Sequence, residues 1–208
     1  MRLLQLFESL EEYANQAVKL ALQNLDWSGG DAEWLWQDYY ASTGDERSED
    51  ELSGKWGSPE DPQALQWFEN IFAERVYDKE DDIKTLADWD GNEIIIYREI
   101  TASEDWLSSA EIITAALGVF WSWDKNAAEA HWGSFGSGHV HWLIVSKVPK
   151  GRVDWPSTLA KNASFSAEDE KEIEVMEGTP LPLLAVYAGG IHGTEVDLGA
   201  LKGKKFSA

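Results

Sequence analysis

The 208-residue chain has no cysteine, only two methionines, six prolines and four histidines, and few basic side chains: 17 Lys and Arg against 38 Asp and Glu. Without cysteine it can build no disulfide framework, no thiolate nucleophile and no Cys-based zinc site. No segment approaches the ~20 consecutive apolar residues of a membrane span. The opening MRLLQLFESLEEYANQ is broken by Glu8, Glu11 and Glu12, so it reads as an amphipathic helix and not as a signal peptide. We expect a soluble, cytoplasmic protein with no membrane partner. The shortage of positive charge leaves a net −21, and it is uneven. Residues 1–100 hold 24 acidic and 8 basic side chains, a net of −16; residues 101–208 hold 14 and 9, a net of −5. Such a field repels nucleic acid and acidic membranes, which argues against direct nucleic-acid binding. It suits a highly soluble surface, a docking face for a basic protein, or a mimic of a nucleic-acid backbone. Solubility is the simplest of the three.

What is present is a packed-core composition: 43% hydrophobic residues and twelve Trp. Leu3, Phe7, Leu10, Ala14, Ala17, Ala21 and Leu25 recur at helical spacing and predict a long helix. Asp31 is a candidate cap for a second helix, AEWLWQDYYAS. An acidic, Gly- and Pro-punctuated loop occupies about residues 43–61, and Asp61-Pro62 reads as a helix start running through Tyr77. KEDDIKTLADW predicts one more short helix. The character changes at Asp90-Gly91-Asn92, a turn signal. Beyond it, EIIIYREI (93–100), VFWSW (119–123), HVHWLIVSKV (139–148) and the runs within 172–187 predict strands, the last turning at Gly178. SAEIITAALG (109–118) and KNAAEAHW (125–132) predict helices, and STLAKNASFSAED (157–169) a loop. The fold class is therefore α+β, with a helical region over 1–89 and a strand-rich core over 90–208.

Three polar features interrupt the strand-rich half: Arg98 after Tyr97, Ser122 between Trp121 and Trp123, and a Glu-x-Glu formed by Glu170 and Glu172. Singly, each has an ordinary reading, since polar residues on half-buried strands usually need no function. Their order and spacing are more specific. They resemble the ADP-ribosyltransferases of the arginine–serine–glutamate class, found among toxins, phage enzymes and ectoenzymes. In that class an Arg follows an aromatic on the first core strand, as in YRE here. A strand-to-helix unit carries a Ser and runs into alanines, to which LGVFWSWDKNAAEAHW is similar. A late strand opens Glu-x-Glu before a Gly turn, as EKEIEVMEGTPL does. The resemblance covers about residues 93–187. It departs at the serine motif, where Ser122 is followed by Trp123-Asp124 and not by Thr and Ser. Glu172 and Glu174 also fit Glu-x-Glu; Glu170 and Glu172 are preferred because Ile173 and Val175 then alternate inward.

The resemblance implies a mainly antiparallel split-sheet core, NAD as substrate and no metal. It casts Glu172 as the carboxylate beside the developing ribosyl cation and Glu170 as the group that orients or deprotonates an arginine acceptor. Arg98 would grip the dinucleotide phosphates and Ser122 would hold Glu172, with Tyr97 and Trp121 beside them on the NAD side. Ser164 and Phe165, just before the Glu pair, would meet a target protein with a basic surface. GSFGSGH (133–139) would sit over the nicotinamide side. The biological role implied is a toxin- or phage-like effector, acting in the host cytoplasm if phage-encoded.

Two other readings compete. His131, His139 and His141, with Asp124 or Glu129, could hold zinc, although no standard ligand motif is present. Alternatively the chain is a non-enzymatic acidic inhibitor, its amino-terminal half mimicking nucleic acid or docking on a basic partner.

Overall fold

The computed structural model describes residues 3–44, 57–78, 91–108, 117–129, 139–164 and 171–208, with side chains from residue 12 onward. The chain divides into two compact units: Met1–Ile83 with Leu159–Glu168, and Lys84–Thr158 with Asp169–Ala208. Among the described residues, no helix is long and apolar enough to cross a membrane.

The first unit is built on α1 (Leu3–Asn24), α2 (Gly30–Thr43) and α3 (Pro62–Asp78). Ala14, Ala17 and Ala21 are buried along α1, and small side chains there let a neighbour approach closely. α3 supplies Phe68 and Phe72, both essentially fully buried, and α2 supplies Leu35, Trp36 and Tyr39. The Trp36 and Phe68 rings meet edge to face, 5.0 Å between centroids, an arrangement that aromatic quadrupoles favour. Asp61 caps α3 as expected, its carboxylate accepting from Gln63 N at 3.2 Å and Ala64 N at 3.4 Å. Asp31 does not cap α2. The cap residue is Gly29, with no side-chain bond, and Asp31 lies inside the first turn, where its charge suits the positive end of the helix dipole.

The second unit carries an antiparallel six-stranded sheet in the order β4-β2-β1-β3-β6-β7. Its strands are β1 (Glu93–Ser103), β2 (Phe120–Ser122), β3 (His139–Pro149), β4 (Glu172–Glu174), β6 (Ala185–Ala188) and β7 (Thr194–Glu195). A separate pair joins β5 (Pro180–Pro182) to β8 (Lys205–Ser207). The long β1–β3 ladder runs from Glu93 opposite Pro149 to Ser103 opposite His139 and forms the centre of the sheet. One face is apolar: Ile94, Ile96, Ile144, Val148, Trp121, Ile173 and Val186 are all buried. The Gly178 turn takes φ 73°, in the left-handed region that glycine enters freely.

One expectation changes here. Residues 157–163 are not loop, because α4 spans Trp155–Ala163. Asp154 caps it through Ser157 N at 3.1 Å, Pro156 fits its first turn, and Leu159, Ala160 and Ala163 are buried along it. Of the expected 125–132 helix, the described residues show a 3-10 turn at Ala127–Glu129; residues 130–132 lie outside the described residues, as do the predicted helix at 79–89 and residues 109–116 of the helix expected to end at Gly118. The acidic loop is described only at its ends.

Candidate active site

The register decides which of the singled-out residues share a face. Tyr97 on β1 is directly opposite Ser122 on β2, and Ser122 is directly opposite Glu172 on β4. Opposed residues of antiparallel strands project to the same side, so these three form one row. One residue along each strand, Arg98, Trp121 and Ile173 belong to the other face. The sheet order therefore places Arg98, Ser122 and Glu172 on adjacent strands, but the pleat separates Arg98 and Trp121 from Ser122 and Glu172.

Arg98 compensates with reach. Its guanidinium Nη1 donates to the Phe120 carbonyl at 2.6 Å, at the start of β2, where the β1–β2 ladder holds only the Tyr97–Ser122 pair. Gly118 makes room: a Cβ there would lie 2.9 Å from Arg98 Nη1, and its φ of 74° also favours glycine. Trp121 Nε1 donates to the same Gly118 carbonyl at 2.9 Å. Burial works against the Arg98 charge, while the nearby Glu172 carboxylate works to keep it. The two groups are thus electrostatically coupled although their strands aim them apart.

Ser122 is buried, and its hydroxyl ties the turn after β2 to the residue that precedes β4. Its Oγ lies 2.9 Å from the Asp124 carbonyl and 3.2 Å from the Lys171 carbonyl, and it accepts from Asp124 N at 3.1 Å. The distant residue it grips, Lys171, is the one immediately before Glu172. Lys171 has φ 46°, the one positive value at a non-glycine residue among those described. Its ammonium pairs with Asp124 Oδ2 at 3.0 Å. That bond, first among several influences, holds the Asp124 carboxyl below the usual carboxylate range. Glu172 itself is half-buried, with Oε1 shielded from solvent. Ile173 and Val175 are fully buried, the inward alternation expected for Glu172 as the outward residue.

The expected Glu170–Glu172 pair is described at Glu172 alone. The left-handed Lys171 breaks the pleat, and β4 starts at Glu172. Glu170 and Phe165 lie outside the described residues. Ser164 follows α4; Arg75 caps that helix end, donating to Ala163 O at 2.6 Å and Ser164 O at 3.1 Å. Residues 133–138 are likewise outside the described set.

The same sheet face holds a pair that sequence reasoning missed. Glu99, 2% exposed, is hydrogen-bonded through Oε1 to His141 Nδ1 across β1 and β3. Glu99 Oε2 and Thr101 Oγ1 are buried there without a hydrogen-bond partner among the described residues. A charged residue at an alternate position of an apolar strand was the available signal. Tyr97, between this pair and Ser122, has its hydroxyl pushed up chiefly by burial and then by Tyr187 and Asp124. His139 and His141 share a face of β3 as anticipated, but among the described residues no three His, Asp or Glu side chains converge to hold a metal; His131 lies outside that set. Compared with protein-family models, with curated proteins and with solved structures, the chain matches none.

Proposed function

We propose that the chain is a mono-ADP-ribosyltransferase that moves ADP-ribose from NAD to a protein, with arginine as the acceptor. One observation carries the reading. The strand with Ser122 lies between those with Arg98 and Glu172, and Ser122 is directly opposite Glu172. In the reaction, the bond between the ribose anomeric carbon and the nicotinamide nitrogen breaks. Its electron pair leaves with neutral nicotinamide, and the Glu172 carboxylate stabilises the ribosyl cation. The acceptor nitrogen then bonds to that carbon and gives up a proton to a carboxylate, Glu170 in this scheme. Arg98 balances the dinucleotide's negative phosphates.

The test is transfer of label from tagged NAD into lysate proteins by wild type and Glu172→Gln. We expect label with wild type and at least roughly a hundredfold less with the variant, the scale of losing one electrostatic catalytic group. Equal labelling by both would remove Glu172 from the reaction. The net −16 of residues 1–100 favours a second reading, an acidic inhibitor docking on a basic partner. It would leave Glu172→Gln fully functional and fail when surface carboxylates are reversed.

A further inference from the structure

Glu172 opens β4 directly after a residue that holds an uncommon backbone. A lysine at φ 46° is disfavoured because its Cβ crowds the carbonyl. Such a conformation persists where the surroundings over-determine it. Here the surroundings are a short turn after β2. Trp123 N donates to the Lys171 carbonyl at 3.1 Å, and Ser122 Oγ reaches the same oxygen at 3.2 Å. At the other end of the residue, Asp124 Oδ2 holds the ammonium at 3.0 Å. Asp124 is fixed in turn, its Oδ1 accepting from Asn126 N at 2.8 Å and its N–H donating to Ser122 Oγ. Three consecutive residues, Ser122, Trp123 and Asp124, thus grip Lys171 by its carbonyl and its side chain.

We propose that Lys171 and Asp124 are positioning residues for Glu172: the Asp124–Lys171 pair locks the left-handed backbone at Lys171, from which β4 starts, and so aims the Glu172 carboxylate. This rests on the transferase reading. It also gives the departure in the serine motif a purpose, since Asp124 stands two residues after Ser122 and does its holding with a charge.

The lock predicts different behaviour from substitutions at one position. Glycine accepts φ 46° at no steric cost but cannot pair with Asp124, whereas valine, branched at Cβ, resists the left-handed region. The purified chain is assayed for nicotinamide release from NAD, with kcat and KM measured separately. Amide exchange of Trp123, the donor to the Lys171 carbonyl, is followed in parallel. Lys171→Gly and Asp124→Asn are expected to lose a few-fold in kcat. Lys171→Val is expected to lose roughly 10- to 100-fold in kcat, the scale of a misplaced catalytic group. KM stays within about twofold in all three, because the substrate contacts remain. Trp123 protection falls most in Lys171→Val and is largely kept in Lys171→Gly.

Equal losses in the Gly and Val variants, a loss carried by KM, or unchanged Trp123 protection in Lys171→Val would each overturn the proposal. Wild type that releases no nicotinamide would defeat the transferase reading and this role with it. That failure is recognisable because it appears before any substitution.

Discussion

The residues of the candidate site are arranged less by their own chemistry than by small neighbours that let them reach. Arg98 is aimed at the apolar face and still extends to the Phe120 carbonyl, because Gly118 leaves the space its guanidinium fills. Gly118→Ala would introduce a Cβ 2.9 Å from Arg98 Nη1 and force a side-chain-bearing residue to φ 74°. We expect a loss of about 1–3 kcal/mol in urea unfolding, the cost of a strained backbone residue. Because the neighbour is the flexible end of a side chain, Arg98 shifts away from Phe120, so NAD binding weakens as well. A variant with unchanged unfolding midpoint and unchanged NAD binding would show that Gly118 is not needed there. Lys171 makes the complementary case, in which a residue other than glycine is held in the left-handed region by its partners.

Among elements, the short strand β4 depends on the helix that precedes it. Its three residues pair with β2, and Thr158 of α4 accepts the Glu174 N–H through Oγ1 at 3.0 Å. Thr158 is fully buried. Thr158→Val keeps the shape but removes that acceptor, leaving a backbone donor without it in the interior. The expected destabilisation is about 1–3 kcal/mol, the cost of an unsatisfied buried polar group. Thr158→Ser should retain most of the stability, and equal unfolding midpoints for the two would contradict this account. α4 was legible in principle: Asp154, Pro156 and the buried spacing Leu159, Ala160, Ala163 form a capped helix pattern. The run of small and polar residues around them, STLAKNASFS, masked it as loop. β1 and β3 were the reverse case, since their β-branched and aromatic runs fit a pleated sheet and little else.

For the whole molecule, the dominant quantity is charge. A net −21 over 208 residues, most of it in the first hundred, produces a field that attracts positive charge and repels negative charge. If a target protein with a basic surface is recruited this way, its association rate should fall steeply between low and physiological salt, as screening shortens to about 8 Å. Nicotinamide release without a protein acceptor should change far less over the same range. Rates that respond alike to salt would mean the charge serves solubility and not recruitment.

By itself the sequence determined what depends on composition and local periodicity. It set the absence of cysteine chemistry, the acidic field, the helical first region, the central strands, the α3 cap at Asp61, and the inward alternation of Ile173 and Val175. It also carried the spacing that puts Arg98, Ser122 and Glu172 on three separate strands. Only the tertiary structure decided that these strands are neighbours, since pairing between distant segments leaves no local mark. It alone showed that Arg98 projects opposite to Ser122 and Glu172, because a face follows from register and register is set by partner strands. The left-handed turn at Lys171 was hidden for the same reason. A lysine prefers ordinary backbone, and only Ser122, Trp123 and Asp124, brought from 47 to 49 residues away in sequence, hold it otherwise.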